Sequence, residues 1–400
     1  MHDVTGQIER LGNPYKKRYP GGEFVYARNI WDMQVFEGRL YIGAGNSSNE
    51  GPASNAGPVP VISLDPKTGQ FSEVFTVDDE QIDTYCVLNG RLCIPGHDPT
   101  ESWELGNFYR LEEGGTWKKY RNIPDTVHTS AMLYSGGILF AGGSGFYDFN
   151  DPAGERCFGS NVAVSSNEGN TWRRVDLGGY RTHALFKVAD RVYAADLITD
   201  RKRQEEHTAY WARWGVPQMV CANIYEFDGR GAFQARTDLD ASAIFPDTRL
   251  PESPFAKIVK PAPFAAKALY IGGLGHNDHQ FMPFGLFVAS SLRKDAVDVR
   301  RIRLPENVQP WDVLVRNGKA YVLLNSLEDH AHVVRVMATT DLEVWTEVLH
   351  FRAPTFARSF EVLDGDFYFG LGCEVADPDN WKAEELHPDT GEILRIRPGK

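Results

Sequence analysis

Apolar runs recur along this chain in pairs, each pair joined by a two-residue turn that is usually built on glycine. Seven such pairs stand out: VFEGRLYIGAGN (35–46), VLNGRLCIPGHD (87–98), YSGGILFAGGSG (134–145), KVADRVYAADLI (187–198), FAAKALYIGGLGH (264–276), VRNGKAYVLLNS (315–326) and VLDGDFYFGLGCE (362–374). Apolar runs around such turns are the signature of β-hairpins. In the second, Asn89-Gly90 is the turn, which places Leu88 opposite Arg91 and Cys86 opposite Cys93. The second strand of every pair carries an aromatic or Cys at one place: Tyr41, Cys93, Phe140, Tyr193, Tyr270, Tyr321 and Tyr368. Successive spacings are 52, 47, 53, 77, 51 and 47 residues, so the chain repeats at about 50, with one enlarged unit.

Two further strands follow each hairpin. In the first unit they are VPVISLD and FSEVFTV around the turn PKTG; in the third they are NVAVSS and TWRRVDL around NEGN. Four short antiparallel strands per unit make the blade of a β-propeller, whose closure removes exposed sheet edges. The pattern therefore predicts an all-β, seven-bladed β-propeller occupying residues 1–400 as one domain. Its blades run roughly 30–81, 82–126, 127–179, 180–253, 254–307, 308–354 and 355–400. The last unit ends after a third strand in GEILRIRP (391–398), so GQIERLG (6–12) is expected to supply the fourth and close the ring. The long fourth unit holds an insertion at 199–219.

Ser165-Ser166-Asn167-Glu168-Gly169-Asn170-Thr171-Trp172 resembles an Asp-box (BNR repeat), Ser-x-Asp-x-Gly-x-Thr-Trp, with Asn167 in place of the aspartate. Weaker traces occur at Gly114–Trp117 and at Thr339-Thr340-Asp341 with Trp345. The resemblance is to the Asp-box propeller superfamily, which includes polysaccharide lyases and sialidase-like glycosidases. It implies the fold strongly and activity weakly, because the box is a turn device. Three clamp arginines and an Arg-Ile-Pro motif, expected of a sialidase, are not found. Trp31-Asp32 and Trp311-Asp312 open a first strand instead of closing a third, which argues against a WD40 repeat.

A net charge of −12 argues against a nucleic-acid partner. There is no run of 18 apolar residues, so nothing in the pattern predicts a membrane-spanning helix. The opening MHDVTGQIERL lacks a leader's apolar core; the default compartment is the cytoplasm, or outside it if a leader has been removed. The five cysteines form no CxxC pair, and a hydrogen-bonded 86:93 pair is a poor place for a disulfide, so reduced thiols are expected.

In a propeller, loops leading into the first strands and leaving the second strands gather on one face. Those loops are rich in His, Arg, Asp and Trp. Such a set suits β-elimination on a uronate, which needs a cation on the carboxylate, a base for the ring proton and an acid for the leaving oxygen. The candidate bases are His97, His128 and His183, the acids Tyr85 or Tyr180, and the clamp Arg181 or Arg358. Trp31, Asp32, Asp83, Asp98, Asp196, Trp211, Trp214, Trp311, Asp312 and Glu374 are candidate contacts to an oligo- or polysaccharide. The same carboxylates leave hydrolysis open, and a binding module without catalysis is the third alternative. No cofactor is required, although His276, Asp278 and His279 could join a divalent metal site.

Overall fold

The computed structural model describes residues 3–47, 53–148, 156–198, 223–248, 255–275, 281–374 and 386–398. Seven four-stranded blades make it a seven-bladed β-propeller, the sheet of the third being extended by two short strands, His97–Pro99 and Asp79–Gln81. Every hairpin predicted from the sequence forms. In the second blade Leu88 faces Arg91, Val87 faces Leu92 and Cys86 faces Cys93, with Asn89 and Gly90 at φ 49° and 75° as a type I′ turn requires. Cys86, Cys93 and Cys373 are free thiols. The repeated aromatic is the core residue of its blade: Phe140, Tyr193, Tyr270 and Tyr368 are all buried, and Tyr321 is half-buried beneath Lys319.

By their internal contacts the residues form two compact units: 1–100, 109–119 and 305–400 in one, 101–108 and 120–304 in the other. The first unit holds the first blade (Asp32–Phe36, Arg39–Gly43, Val59–Asp65, Gln70–Val77) and the sixth (Gln309–Arg316, Lys319–Glu328, Ala331–Thr339, Thr346–Ala353). It also holds the seventh, whose strands Ala357–Leu363, Asp366–Leu371 and Ile393–Ile396 are completed by Glu9–Gly12. There Glu9 pairs with Arg395 and Arg10 with Leu394, so the two ends of the chain share one sheet as expected. Glu9 fixes the register by taking Arg395 through both carboxylate oxygens, at 2.9 and 2.7 Å.

Position within the repeat also explains how neighbouring blades are tied. Asp32 and Asp312 each lie six residues before a hairpin glycine, Gly38 and Gly318. Asp32 Oδ2 accepts the Tyr85 N–H at 2.6 Å, and Asp312 Oδ2 accepts the Phe360 N–H at 3.0 Å. Ser359, at the corresponding place in the seventh blade, donates its hydroxyl to the Ile30 carbonyl at 2.8 Å. Each latch satisfies a buried backbone group between blades that share no strand ladder.

The second unit contains the third blade (His128–Ser135, Ile138–Asp148, Arg156–Ser165, Arg173–Asp176). The fourth follows (Ala184–Val188, Arg191–Ala195, Ile224–Phe227, Phe233–Ala235), then the fifth (Phe255–Phe264, Lys267–Gly275, Phe281–Arg293, Ala296–Ile302). The turn at 165–172 is built by its side chains. The Ser165 hydroxyl accepts the Gly169 N–H at 2.9 Å, and Asn167 Oδ1 accepts the Thr171 N–H at 3.0 Å. Trp172 lies edge-on to Phe108, and its indole N–H donates to Asn122 at 3.1 Å. The first unit repeats this turn at Thr339 and Asp341, where Thr339 Oγ1 takes the Leu342 N–H and Asp341 Oδ1 takes the Glu343 and Val344 N–H groups.

Candidate functional site

Two clusters, one in each unit, bring candidate residues together. In the second unit the ladder between the first two strands of the third blade sets His128 opposite Ser144. The Thr182 N–H donates to the Gly143 carbonyl at 3.0 Å, which brings the segment ahead of the fourth blade to the same spot. Gly143 permits that crowding: a Cβ there would lie 1.7 Å from the His128 carbonyl oxygen. Arg181 then reaches Ser144, its Nε donating to Oγ at 3.2 Å, while its guanidinium stands 5.5 Å from the Tyr180 ring centre. His183 follows, its N–H on the Ala195 carbonyl. His128, Tyr180, Arg181 and His183 are all half-buried, reachable but restrained.

Asp196 is buried beneath this group. Its Oδ1 accepts the N–H of Arg181 at 3.1 Å and of Leu197 at 2.6 Å, and Ser160 hydrogen-bonds to the same carboxylate. Burial raises its pKa to about 6, against the pull of those donors. Asp196 is therefore a positioning group under Arg181. Gly179 leaves room for it, since a Cβ there would sit 1.7 Å from Asp196 Oδ2. The Gly178-Gly179 pair ahead of Tyr180 was the sequence signal for this close approach.

In the first unit the centre is Arg358, at 5% exposure. Its guanidinium is 4.1 Å from the Trp31 ring centre, 5.2 Å from Trp311 and 5.6 Å from Phe356. Its Nε donates to Asn29 Oδ1 at 3.2 Å, and its Nη2 pairs with Glu374 Oε1. Trp31 and Trp311 thus lie against the arginine. Burial lowers the Arg358 pKa from its ordinary value, with the negative charge of Asp83 acting against that fall. The Gln81 amide donates to Asp83 at 3.0 Å, fixing its carboxylate. Asn29 and Tyr26, which the sequence did not single out, complete the group: the Tyr26 phenol donates to Glu374 Oε2 at 3.3 Å.

Five candidates need correction or relocation. Tyr85 is unsuited to act as an acid on substrate: it is buried, its hydroxyl donates to the Ile42 carbonyl at 3.0 Å, and burial drives its pKa well upward. Asp32 and Asp312 spend carboxylate oxygens on the interblade latches described above, which makes them structural. His97 sits in a short ribbon where His97–Pro99 pairs with Asp79–Gln81, and Asp98 is buried beside it. Asp98 acts on Glu80, whose pKa burial first and Asp98 second raise to about 7. Trp211, Trp214, His276, Asp278 and His279, with the 199–219 insertion, lie outside the described residues. Among the described residues no group of three or more His, Cys, Asp or Glu is placed to hold a metal ion.

The architecture defines a class, the seven-bladed β-propeller, and comparison with known proteins adds likeness of fold alone. No family model and no curated protein matches the chain. Among solved structures, Kuenenia stuttgartiensis hydrazine synthase is similar at 11% identity over 93% of this chain and 96% of its own, with a TM-score of 0.49. The Neurospora crassa Pan2 WD40 domain is similar at 11% identity over 100% and 98%, also with a TM-score of 0.49. An ancestral GH74 enzyme is similar at 10% identity over 90% of this chain and 44% of its own, with a TM-score of 0.47.

Proposed function

We propose that the chain is a carbohydrate-active enzyme that binds a uronate-containing glycan at the His128–Arg181 cluster and cleaves it by β-elimination. One observation carries the reading: His128 and Arg181 converge on the same neutral residue, Ser144, from neighbouring blades. The planar guanidinium of Arg181 has the donor geometry that matches a sugar carboxylate. In the proposed reaction Arg181 neutralises the C6 carboxylate, which acidifies the C5 proton. His128 removes that proton, with His183 as the alternative base. The electron pair forms the C4–C5 double bond, the C4–O bond breaks, and Tyr180 protonates the leaving oxygen. Asp196 holds the Arg181 backbone in place. The test is a panel of uronate glycans followed by the ultraviolet absorbance of the 4,5-unsaturated product. Turnover by the native chain that is lost in His128→Ala or His183→Ala, with melting unchanged, supports the reading; release of saturated reducing ends overturns it.

Hydrolysis is the second reading, and Glu80 favours it. A carboxyl that burial raises to about 7, with a second carboxyl beside it in Asp98, meets the need of a general acid with a carboxyl partner. Under that reading Glu80→Gln abolishes release of saturated reducing ends; under elimination it leaves the unsaturated product forming.

A further inference from the structure

The chain contains two kinds of buried arginine–glutamate pair, and they are built differently. Arg316 and Glu361 show what a locked pair looks like. Glu361 is 2% exposed and accepts the N–H groups of Val35 at 3.1 Å and Val362 at 2.9 Å, besides Arg316 Nη2 at 3.1 Å. Every oxygen is tied to backbone that cannot move without unfolding a strand. Among the described residues Glu374 has no such ties. Its described partners are two side chains, Arg358 and Tyr26, and its own side chain remains 22% exposed.

Arg358 itself is fixed from every other direction. Trp31, Trp311 and Phe356 lie against its guanidinium, and Asn29 takes its Nε while also accepting the Cys373 N–H at 2.8 Å. The guanidinium therefore presents one edge, and a carboxylate occupies it. We propose that this is an exchangeable carboxylate site, in which Glu374 stands in for the carboxylate of an acidic sugar and gives way when that ligand binds. Of the rings that cage the arginine, Trp311 and Phe356 are buried and stacked on each other, whereas Trp31 is half-buried. The Tyr26 phenol, which holds Glu374, remains in place to donate to the incoming carboxylate. This site belongs to the first unit, so it goes beyond the elimination proposed at Arg181 and stands or falls separately from it.

The test uses the full chain carrying Arg181→Ala, so that the other cluster contributes no carboxylate binding. Glucuronate is titrated by calorimetry and by tryptophan fluorescence, with glucose as the neutral control. Glu374→Gln keeps the shape of the side chain and removes the competing charge. It is expected to bind glucuronate at least tenfold more tightly than the Glu374 parent, and glucuronate but not glucose should raise its melting temperature. Glu374→Asp, which keeps the charge but withdraws it by one methylene, is expected to fall between the two. Adding Arg358→Lys to Glu374→Gln should remove the gain, because an ammonium cannot replace the caged fork. If neither the Gln nor the Asp variant binds glucuronate more tightly than the parent, or if Arg358→Lys leaves the gain intact, the proposal is overturned.

Discussion

Two arginines sit beside first strands of the propeller, Arg181 ahead of the fourth blade and Arg358 in the seventh, and their surroundings differ. Arg181 is half-buried and rests on a serine hydroxyl and a tyrosine ring, with its nearby carboxylate, Asp196, turned to its backbone N–H. Arg358 is buried among three aromatic rings and carries its own counter-ion in Glu374. A guanidinium taken out of water needs a partner charge, whereas one left half in water depends less on a single counter-ion. The difference teaches that Arg358 is tied into the fold by its own counter-ion, whereas Arg181 is the arginine on which the proposed elimination rests.

The largest expected effect breaks that comparison directly. Arg358→Ala leaves Glu374 uncompensated and opens space between Trp31 and Trp311, so urea unfolding should show a loss of about 3–5 kcal/mol. Arg181→Ala should cost no more than about 1 kcal/mol in the same measurement while abolishing product formation. Equal stability losses would erase the distinction. Arg181→Lys keeps the charge and loses the bidentate geometry; kcat/KM on a uronate glycan should fall on the order of 100-fold or more with melting unchanged.

The Arg316–Glu361 pair sharpens the contrast through pH. Burial raises Glu361 to about 7, with Arg316 the largest opposing influence. Its folded pKa lies above the unfolded one, so its contribution to stability is complete below about 4.5 and is lost as pH rises through about 7. Glu361→Gln should flatten the pH dependence of unfolding across that window, by on the order of 3 kcal/mol at most. A slope that Glu361→Gln leaves unaltered would show that the carboxyl titrates normally.

Smaller effects test the outlying parts. Tyr85→Phe removes a core hydrogen bond and should cost about 1 kcal/mol with turnover unaltered; lost turnover with stability unaltered would restore Tyr85 to the chemistry. Ala189 and Ala265 open the hairpin turns of the fourth and fifth blades at φ 53° each, where glycine is strain-free. Replacing either by Gly should stabilise by up to about 1 kcal/mol in thermal melts.

These turns also show why the fold was legible in the sequence. Asn89-Gly90, Asn317-Gly318 and Asp364-Gly365 announce type I′ hairpins locally, and the Cys or Tyr three residues past each glycine marks a fixed register. Even the pairing of the N-terminal strand with Ile393–Ile396 followed from counting strands per unit. The candidate clusters were legible in residue type but not in arrangement. His128, Arg181 and His183 came out on one cluster because loop position is set by the repeat. Asp32 and Asp312 were misjudged because a carboxylate facing a neighbouring blade's N–H and one facing a ligand occupy loops of the same composition. Their shared place, six residues before a glycine, was the signal that distinguishes a latch. Asn29 and Tyr26 left no signal at all, because they meet Arg358 and Glu374 from more than 300 residues away in the chain.

The proposed elimination turns on Arg181 binding the carboxylate of the cleaved substrate, and calorimetric titration of a glucuronate-containing oligosaccharide into the native chain and into Arg181→Ala tests it most directly. The native chain should bind, and Arg181→Ala should lose at least 100-fold in affinity while melting at the native temperature. Binding by Arg181→Ala that matches the native chain would contradict the account.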